Sequence, residues 1–478
     1  MNYETVIGLE VHVHLKTQSK LFCGCSTEFG SVPNSNICPV CTGQPGALPV
    51  LNKKAVEFAV LTGLATNCKI AKHSIFARKN YFYPDLPKNY QISQYELPLC
   101  EKGFLEIEID GIPKKIGITR IHLEEDAGKL LHAIGSQELD YSLVDYNRTG
   151  IPLLEIVSEP DISSPDEAYQ YLTNLKAILR YIGISDCDME KGSLRCDANI
   201  SLRLVGEKKL GVKVELKNMN SFKAIRDALN YEIERQKEAL NSNEKIVQDT
   251  RLWDEKLGTT VSMRSKEQAH DYRYFPEPDL APVEIDEKFL EEIKKSLVEL
   301  PEVRKKRFIE KFGFSDYDAG VLTSEKSLAD YFEDVVNIVN EPKLISNWIT
   351  TELLGKLNAE NKDITSSPVS SENLAGMIKL ISDGTISGKI AKTVFEQMYN
   401  TGKIASEIIK EQGLVQISDE KEIEKLVDEA IAENQKAVAE YKSGKQQAIG
   451  ALVGSVMKKS RGQANPKLVN EILKKKLV

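Results

Sequence analysis

The sequence predicts an α+β protein, with a strand-rich first part of about 290 residues and helices from there to the end. Three observations carry this. Residues 6–15 (V-I-G-L-E-V-H-V-H-L) alternate strictly, with Ile7, Leu9, Val11, Val13 and Leu15 on one face and Gly8, Glu10, His12 and His14 on the other. The strand-like runs that follow do not alternate regularly with helical ones, which argues against a parallel, doubly wound sheet. From residue 285 the spacing changes to three and four, as in Phe289, Ile293, Leu297 and Leu300.

The elements follow in order. Residues 104–110 and 112–118 read as a hairpin about Asp110-Gly111, a dipeptide suited to two positive φ angles. The strand over residues 116–125 (I-G-I-T-R-I-H-L-E-E) runs into Asp126-Ala127-Gly128-Lys129. A helix over residues 165–182 carries Ala168, Tyr171, Leu172, Leu175, Ile178 and Leu179, with Gly183 as its stop. Strands over 193–204 and 210–216 join near Gly206, and a helix spans 221–240. Residues 285–402 are helical around a polar break at 363–371, and 405–478 form a last helical block.

The chain has 478 residues, 28 % of them charged and 41 % hydrophobic, and a formal net charge of −8. This is the balance of a soluble protein with several domains. No apolar run is long enough to span a bilayer, and the N-terminus has neither a basic segment nor a signal-peptide core, so a cytoplasmic location is expected. The charge argues against wholesale coating of nucleic acid, yet it is uneven. From residue 442 onward the chain holds Lys442, Lys445, Lys458, Lys459, Arg461, Lys467 and Lys474–Lys476 against a single acid, Glu471. Such a tail suits a polyanion held at one end of the molecule, or else a solvated helix face.

A strand that gives one face to a carboxylate and two imidazoles lines a polar cleft. Consecutive acids at the end of a second strand repel one another unless a cation compensates. Together these point to a hard divalent metal held by carboxylates with one or two imidazoles. Arg195, Asp197 and Asn199 repeat the design, with Leu194, Cys196, Ala198 and Ile200 behind them, and Glu215, Lys217 and Asn218 extend it. Residues 78–94 (R-K-N-Y-F-Y-P-D-L-P-K-N-Y-Q-I-S-Q) mix bases, tyrosines and amides. That mixture fits nucleotide or nucleic-acid contacts, or a proline-punctuated loop whose rings pack on the sheet. Arg273 and Tyr274 add another base and ring. Cys23, Cys25, Cys38 and Cys41 form two short pairs across a loop, a spacing that wraps a tetrahedral structural zinc. Cys68, Cys100, Cys187 and Cys196 are scattered and read as small core residues. There is no P-loop, no G-x-G-x-x-G and no G-x-S-x-G elbow, so any ATP must be organised by carboxylate-held Mg²⁺.

Long motifs run from end to end: E-T-V-I-G-L-E-V-H (4–12), R-K-N-Y-F-Y-P-D (78–85), H-L-E-E-D-A-G-K (122–129), L-L-E-I-V-S-E-P-D (153–161), G-S-L-R-C-D-A-N (192–199), D-Y-R-Y-F-P-E-P-D (271–279), E-N-L-A-G-M-I (372–378) and G-Q-A-N-P (462–466). With them the chain resembles the GatB/GatE family of tRNA-dependent amidotransferase subunits. The resemblance implies a cradle-shaped catalytic domain over residues 1–290, with the zinc loop at 23–41. It implies a helical domain over 291–404 and a YqeY-like tail over 405–478 that binds tRNA through Lys442, Lys445, Lys458, Lys459 and Arg461. The implied reaction is ATP-dependent phosphorylation of the side-chain carboxylate of Glu-tRNA(Gln) and/or Asp-tRNA(Asn). Ammonia, freed from glutamine by a GatA amidase subunit, then displaces the phosphate; a small GatC subunit completes a heterotrimer. Glu10, His12, Glu124 and Glu125 match the family's metal-site motifs and are expected to bind Mg²⁺. Lys79, Tyr81, Arg195, Asp197, Lys217 and Arg273 are expected around ATP or the aminoacyl end. The competing reading is a zinc-bearing, tRNA-holding scaffold in which His12 is a satisfied imidazole and Glu124 or Glu125 pairs with Arg120 or Lys129.

Overall fold

The computed structural model describes residues 2–135, 137–263, 272–414, 419–443, 445–460 and 464–477. The chain divides into two compact units, Met1–Leu300 and Pro301–Val478. In chain order the first unit runs β1 (Tyr3–His14), α1 (Lys53–Ala65), β2 (Lys69–Ile70), β3 (His73–Ser74), β4 (Ala77–Asn80), β5 (Tyr90–Ser93), β6 (Cys100–Ile109), β7 (Ile112–Glu125), β8 (Lys129–Ile134), β9 (Gln137–Asp145) and β10 (Pro152–Ser158). It continues with α2 (Pro165–Tyr181), β11 (Leu194–Leu204), β12 (Val214–Lys217), α3 (Phe222–Asn241), β13 (Asp249–Asp254), β14 (Thr259–Ser262), β15 (Phe275–Pro276), β16 (Val283–Glu284) and α4 (Glu287–Ser296).

Most strands join one 12-stranded sheet in the order β14-β13-β12-β11-β1-β10-β7-β5-β4-β15, with β6 on β7 and β2 on β6. Its pairings are antiparallel except β12 with β13. The alternation of β1 is realised: Ile7, Leu9, Val11 and Val13 are buried in one core with Leu172 and Leu175 of α2, Ile225 and Leu229 of α3, and Val56 and Val60 of α1. The helices therefore cover the apolar face, and the charged side chains stand on the other. The β6–β7 hairpin turns at Asp110 and Gly111, whose φ values of 52° and 78° give the left-handed geometry that its tight turn requires. Helix α2 starts where Ser164 caps the amide of Glu167, with Asp166 and Glu167 in the first turn facing the positive end of its dipole.

Some boundaries differ from the sequence expectation. The strand expected over residues 210–216 is confined to Val214–Lys217, because the chain from Leu210 to Lys213 is solvent-facing and pairs with no strand. The compact sheet unit takes in the first of the expected helices, α4, and extends to Leu300, because Phe289, Leu290, Ile293, Leu297 and Leu300 pack into its core.

The second unit is helical. Helices from Pro301–Phe312 to Ala405–Gln412 enclose a core with Phe308, Phe332, Ile349 and Phe395, so the segment 405–412, expected in the tail, belongs to this core. The polar stretch at 363–371 forms a short turn capped by Asp363 and then the Ser370 cap of helix Ser371–Ser382. Helices from Glu420–Glu433 to Pro466–Leu477 enclose another core around Ile423, Val427, Leu452, Val456 and Leu473. Among the described residues no helix is long and apolar enough to cross a membrane.

Candidate active site

Register assembles the polar face. Residues directly opposite in an antiparallel pair point to the same side. His12 lies opposite Arg195 of β11 and Glu155 of β10, Glu155 lies opposite His122 of β7, and Glu10 lies opposite Asp197. Glu124 completes the group from the end of β7. The Nε2 of His12 is 3.6 Å from Glu10 Oε1, 3.4 Å from Glu155 Oε2 and 3.8 Å from Glu124 Oε1. The Nε2 of His122 is 3.5 Å from Glu155 Oε2 and 3.9 Å from Glu124 Oε2. Two sets, Glu10–His12–Glu155 and His122–Glu124–Glu155, each offer ligand atoms within 4.8 Å of one another.

The electrostatics are those of crowded acids. Burial and the neighbouring Glu155 push Glu124 up to about 7, and the same two causes raise Glu10. Burial opposes the charge on Glu155, but His122, His12 and Arg120 hold it below the ordinary carboxylate range. For His12 burial works against the proton, yet Glu155, Glu124 and Glu10 raise it to about 9; His122, fully buried, falls to about 4.

Protons held in this cluster make the metal-free chain sensitive to pH. An unfolded His titrates near 6.5 and an unfolded Glu near 4.3. Between about pH 4.5 and 7 the folded chain holds a proton on Glu124 that the unfolded chain has lost, and between about 6.5 and 9 it holds one on His12. Below about pH 6.5 the proton gained on Glu124 is offset by the one that buried His122 gives up, but from there to about pH 9 the folded state binds more protons, so stability falls as pH rises, by up to about 3 kcal/mol for His12. Urea denaturation in EDTA across pH 6 to 9 measures the slope, and His12→Gln removes its upper part.

Glu125 does not join the cluster, contrary to the expectation from its motif. Adjacent strand residues face opposite ways, and Glu125 is buried on the far side of β7. There its carboxylate accepts from Ile92 N at 2.9 Å and pairs with Lys88. It borders a small cavity of about 70 Å³ with Lys20, Cys23, Cys41 and Gly150. Its partner is thus neither Arg120 nor Lys129. Glu155 and His122 join the site without having been expected from sequence. Glu155 is a lone acid in the apolar run L-L-E-I-V, and that isolation was the available signal; His122 was hidden by the acids beside it.

The remaining candidates flank the cluster. The ammonium of Lys79 sits 4.9 Å from the ring centre of Tyr272 and 5.9 Å from that of Tyr81. Tyr274 stacks on Tyr95 at 4.0 Å, and burial together with the charge of Glu124 raises the hydroxyls of Tyr81 and Tyr274. The loop residues thus build an aromatic wall beside Glu124. Arg273 is exposed in left-handed backbone (φ 46°), and its carbonyl accepts from Asn80 Nδ2 at 2.8 Å. Lys217 bonds Asp197 and lies 3.2 Å from Glu215. A cavity of about 920 Å³ opens next to this face, lined among others by His14, Lys129, Arg148, Arg195 and Asp197.

The sulfur atoms of Cys23, Cys25, Cys38 and Cys41 lie within 4.8 Å of one another, and those of Cys38 and Cys41 are 3.9 Å apart. A tetrahedral Zn–S₄ centre places its sulfurs about 3.8 Å apart, so these residues fit zinc. The bond with Cys23 and the nearby Lys20 ammonium lower Cys41 to about 4. In the last core, the acidic helix Glu420–Glu433 supplies Glu429 and Glu433 to Lys459, and Glu424 and Asp428 to Lys476. Lys442, Lys445 and Lys458 are exposed, with no ion pair among the described residues. Arg461 lies outside the described residues, as do Asp271, Gly462 and Gln463 of the family motifs.

A model of the GatB/GatE catalytic domain matches residues 5–291, and one of the GatB domain matches residues 330–477. The chain is 60 % identical over 475 residues to the B subunit of the aspartyl/glutamyl-tRNA(Asn/Gln) amidotransferase of Carboxydothermus hydrogenoformans, covering 99 % of each chain. It is 57 % identical over 477 residues to the protein of the same name from Thermoanaerobacter sp. (strain X514), covering 100 % of each. It is 58 % identical over 473 residues to that of Thermodesulfovibrio yellowstonii, covering 99 % of each. With the cluster, the sheet that carries it and both family models on one chain, the protein belongs to the GatB family of tRNA amidotransferase subunits.

Proposed function

We propose that the polar face of the sheet activates the side-chain carboxylate of Glu-tRNA(Gln) and/or Asp-tRNA(Asn) by ATP-dependent phosphorylation, and that ammonia from a partner amidase subunit then forms the amide. The observation that carries this is the convergence of Glu10, His12, Glu124 and Glu155 on one side of three adjacent strands. Their mutual repulsion is a surplus of negative charge, and oxygen-rich donors of this kind suit Mg²⁺. A bound divalent cation supplies the charge neutralisation that lets a carboxylate approach a triphosphate.

The chain's own residues do the rest by position. Glu155, bonded to His12 and facing His122, fixes both rings. Lys79 brings a cation to the aromatic wall, and Tyr81, Tyr272 and Tyr274 offer ring faces on which a base can stack. Asp197 and Lys217 border the face on the other side, and Arg273 stands at the exposed end of the loop that carries these rings. No proton need move in the phosphorylation step: the attacking carboxylate is already ionised, and the electron pair leaves with ADP. The cysteine loop is assigned a structural zinc, because four thiolates close the coordination sphere.

The partners inferred are a GatA amidase, GatC and the charged tRNA. ADP release by the assembled enzyme tests the reading. It must require Mg²⁺ and misacylated tRNA; release that ignores the charged tRNA, or none at all, reduces the chain to a tRNA-holding scaffold. The tail is tested separately. Lys442, Lys445 and Lys458 are assigned to tRNA phosphates, with Arg461, whereas Lys459 is committed to acids of its own core. Replacing Lys442, Lys445 and Lys458 by Ala is expected to raise the KM for tRNA and to reduce the slope of log K against log salt by up to about 3. Lys459→Ala is expected to cost stability and leave the slope unchanged; the reverse pattern refutes the assignment.

A further inference from the structure

Asp126 takes no part in the cluster described above, yet it is buried and unusually well supplied with cations. Its Oδ2 is 2.6 Å from His14 Nε2, accepts from Arg195 Nη2 at 2.8 Å and lies 3.4 Å from Arg148 Nε. Its Oδ1 accepts from Ala127 N at 2.9 Å. Burial opposes its charge, but Arg195, His14 and Arg148 hold it far below the ordinary range, so the carboxylate is ionised. Asp126 thus fixes two guanidinium groups at once, and Arg195 also lies within reach of the charges of Glu124 and Asp197.

The two arginines differ in what they have left to give. Arg148 donates from Nε to Ala127 O at 3.0 Å and from Nη2 to Gly128 O at 2.5 Å, so backbone holds it. Arg195 donates from Nη2 to Asp126, and its Nε is buried without an acceptor among the described residues. A buried donor without an acceptor is costly unless a ligand satisfies it. The register sets Arg195 directly opposite His12, beside the metal cluster, and its side chain lines the 920 Å³ cavity.

We propose that Arg195 is the catalytic cation that contacts the phosphoryl group during transfer, and that Asp126 is the positioning residue that aims it, with Arg148 and His14 braced on the same carboxylate. This rests on the phosphorylation reading above. In that step a carboxylate oxygen bonds to the γ-phosphorus while the bond to the β,γ-bridging oxygen breaks, its electron pair leaving on ADP. Negative charge spreads over the equatorial oxygens, and a preorganised guanidinium fork matches that geometry. The substrate carboxylate is the other anion such a fork could hold, and the experiment separates the two.

The test uses the assembled enzyme with Mg²⁺, saturating misacylated tRNA, and ADP with aluminium fluoride as the probe of the transferring group. Wild type is expected to bind this probe at least about 100-fold more tightly than ADP alone. Arg195→Ala is expected to lose that gain while the Kd for ADP changes less than about threefold, and Arg195→Lys does not restore it, since a point charge lacks the fork. Asp126→Asn keeps the bulk of the side chain and is expected to lose about tenfold. In turnover, Arg195→Ala lowers kcat about 10²–10³-fold with little change in KM for ATP, and added guanidinium ion recovers part of the rate. Probe affinity equal to wild type in Arg195→Ala overturns the proposal. So does an effect confined to the KM for charged tRNA, which would hand Arg195 to the substrate carboxylate. If wild type releases no ADP, the phosphorylation reading itself fails; if it does, and Glu10 and Glu155 variants collapse while Arg195→Ala does not, only the role of Arg195 fails.

Discussion

ADP release by the assembled enzyme is expected to fall about 10²–10³-fold when Glu155 is replaced by glutamine, and by a similar factor for Glu10→Gln. The amide keeps the volume of the side chain and removes its charge. Glu155 is the group shared by both ligand sets, 3.4 Å from His12 and 3.5 Å from His122, so its loss both removes a donor and frees two rings. Glu10 is more exposed than Glu155, at 33 % against 9 % of its side chain. Its replacement should therefore act chiefly through metal affinity, and raised Mg²⁺ should recover part of the rate in Glu10→Gln. Recovery should be poor in Glu155→Gln, where the rings are no longer fixed. ADP release measured against Mg²⁺ concentration, with circular dichroism to verify the fold, decides it. Undiminished release in both variants would move the chemistry away from this face.

The second large effect concerns the cysteine loop. Purified wild type is expected to hold one zinc per chain, and Cys41→Ser to hold less than about a tenth of that. Cys41 is the buried member of the four; its sulfur accepts from Cys38 N at 3.2 Å, and Lys20 Nζ lies 3.6 Å away. The loop buries little apolar surface, since Phe29, Val32 and Ile37 are all exposed. What remains are hydrogen bonds such as Asn34 N to Asp145 Oδ1 at 3.0 Å and Asn36 N to Asn147 Oδ1 at 2.8 Å. Apparent binding energies of structural zinc in small peptides are about 10–16 kcal/mol, against about 1 kcal/mol net for each such bond. Proteolysis within residues 26–37 should therefore be at least about tenfold faster in Cys41→Ser. The strands that carry Glu10, His12, Glu155 and Glu124 pair with one another independently of the loop. Zinc content by elemental analysis and the digestion pattern by mass spectrometry test both halves; a zinc-free wild type, or equal digestion, refutes the structural role.

The outline of the fold was legible wherever a local signal sufficed. The period of two in β1 identified both its buried face and its polar one, and Asp110-Gly111 located a hairpin. Gly183 marked the end of α2. The spacing in α4 says only that one face is apolar, not which core receives it, and the sheet unit does. The same limit applies to the basic tail: the stretch after residue 442 reads as unopposed, but the acids that meet Lys459 and Lys476 come from the preceding helix, Glu420–Glu433.

The family, the alternation that separates an apolar back from a charged front, and the four cysteines that can share a metal were all readable along the chain. These depend on residue identity and short spacing, which are local. Which acids meet is a matter of strand register. Glu155 is far from Glu10 along the chain, and it reaches His12 through the β1–β10 register. Glu124 and Glu125 are neighbours in sequence, but the pleat sends one to His12 and the other to Lys88. Antiparallel register is set by hydrogen bonds between distant strands, and a shift of one residue would turn every one of these side chains to the opposite face.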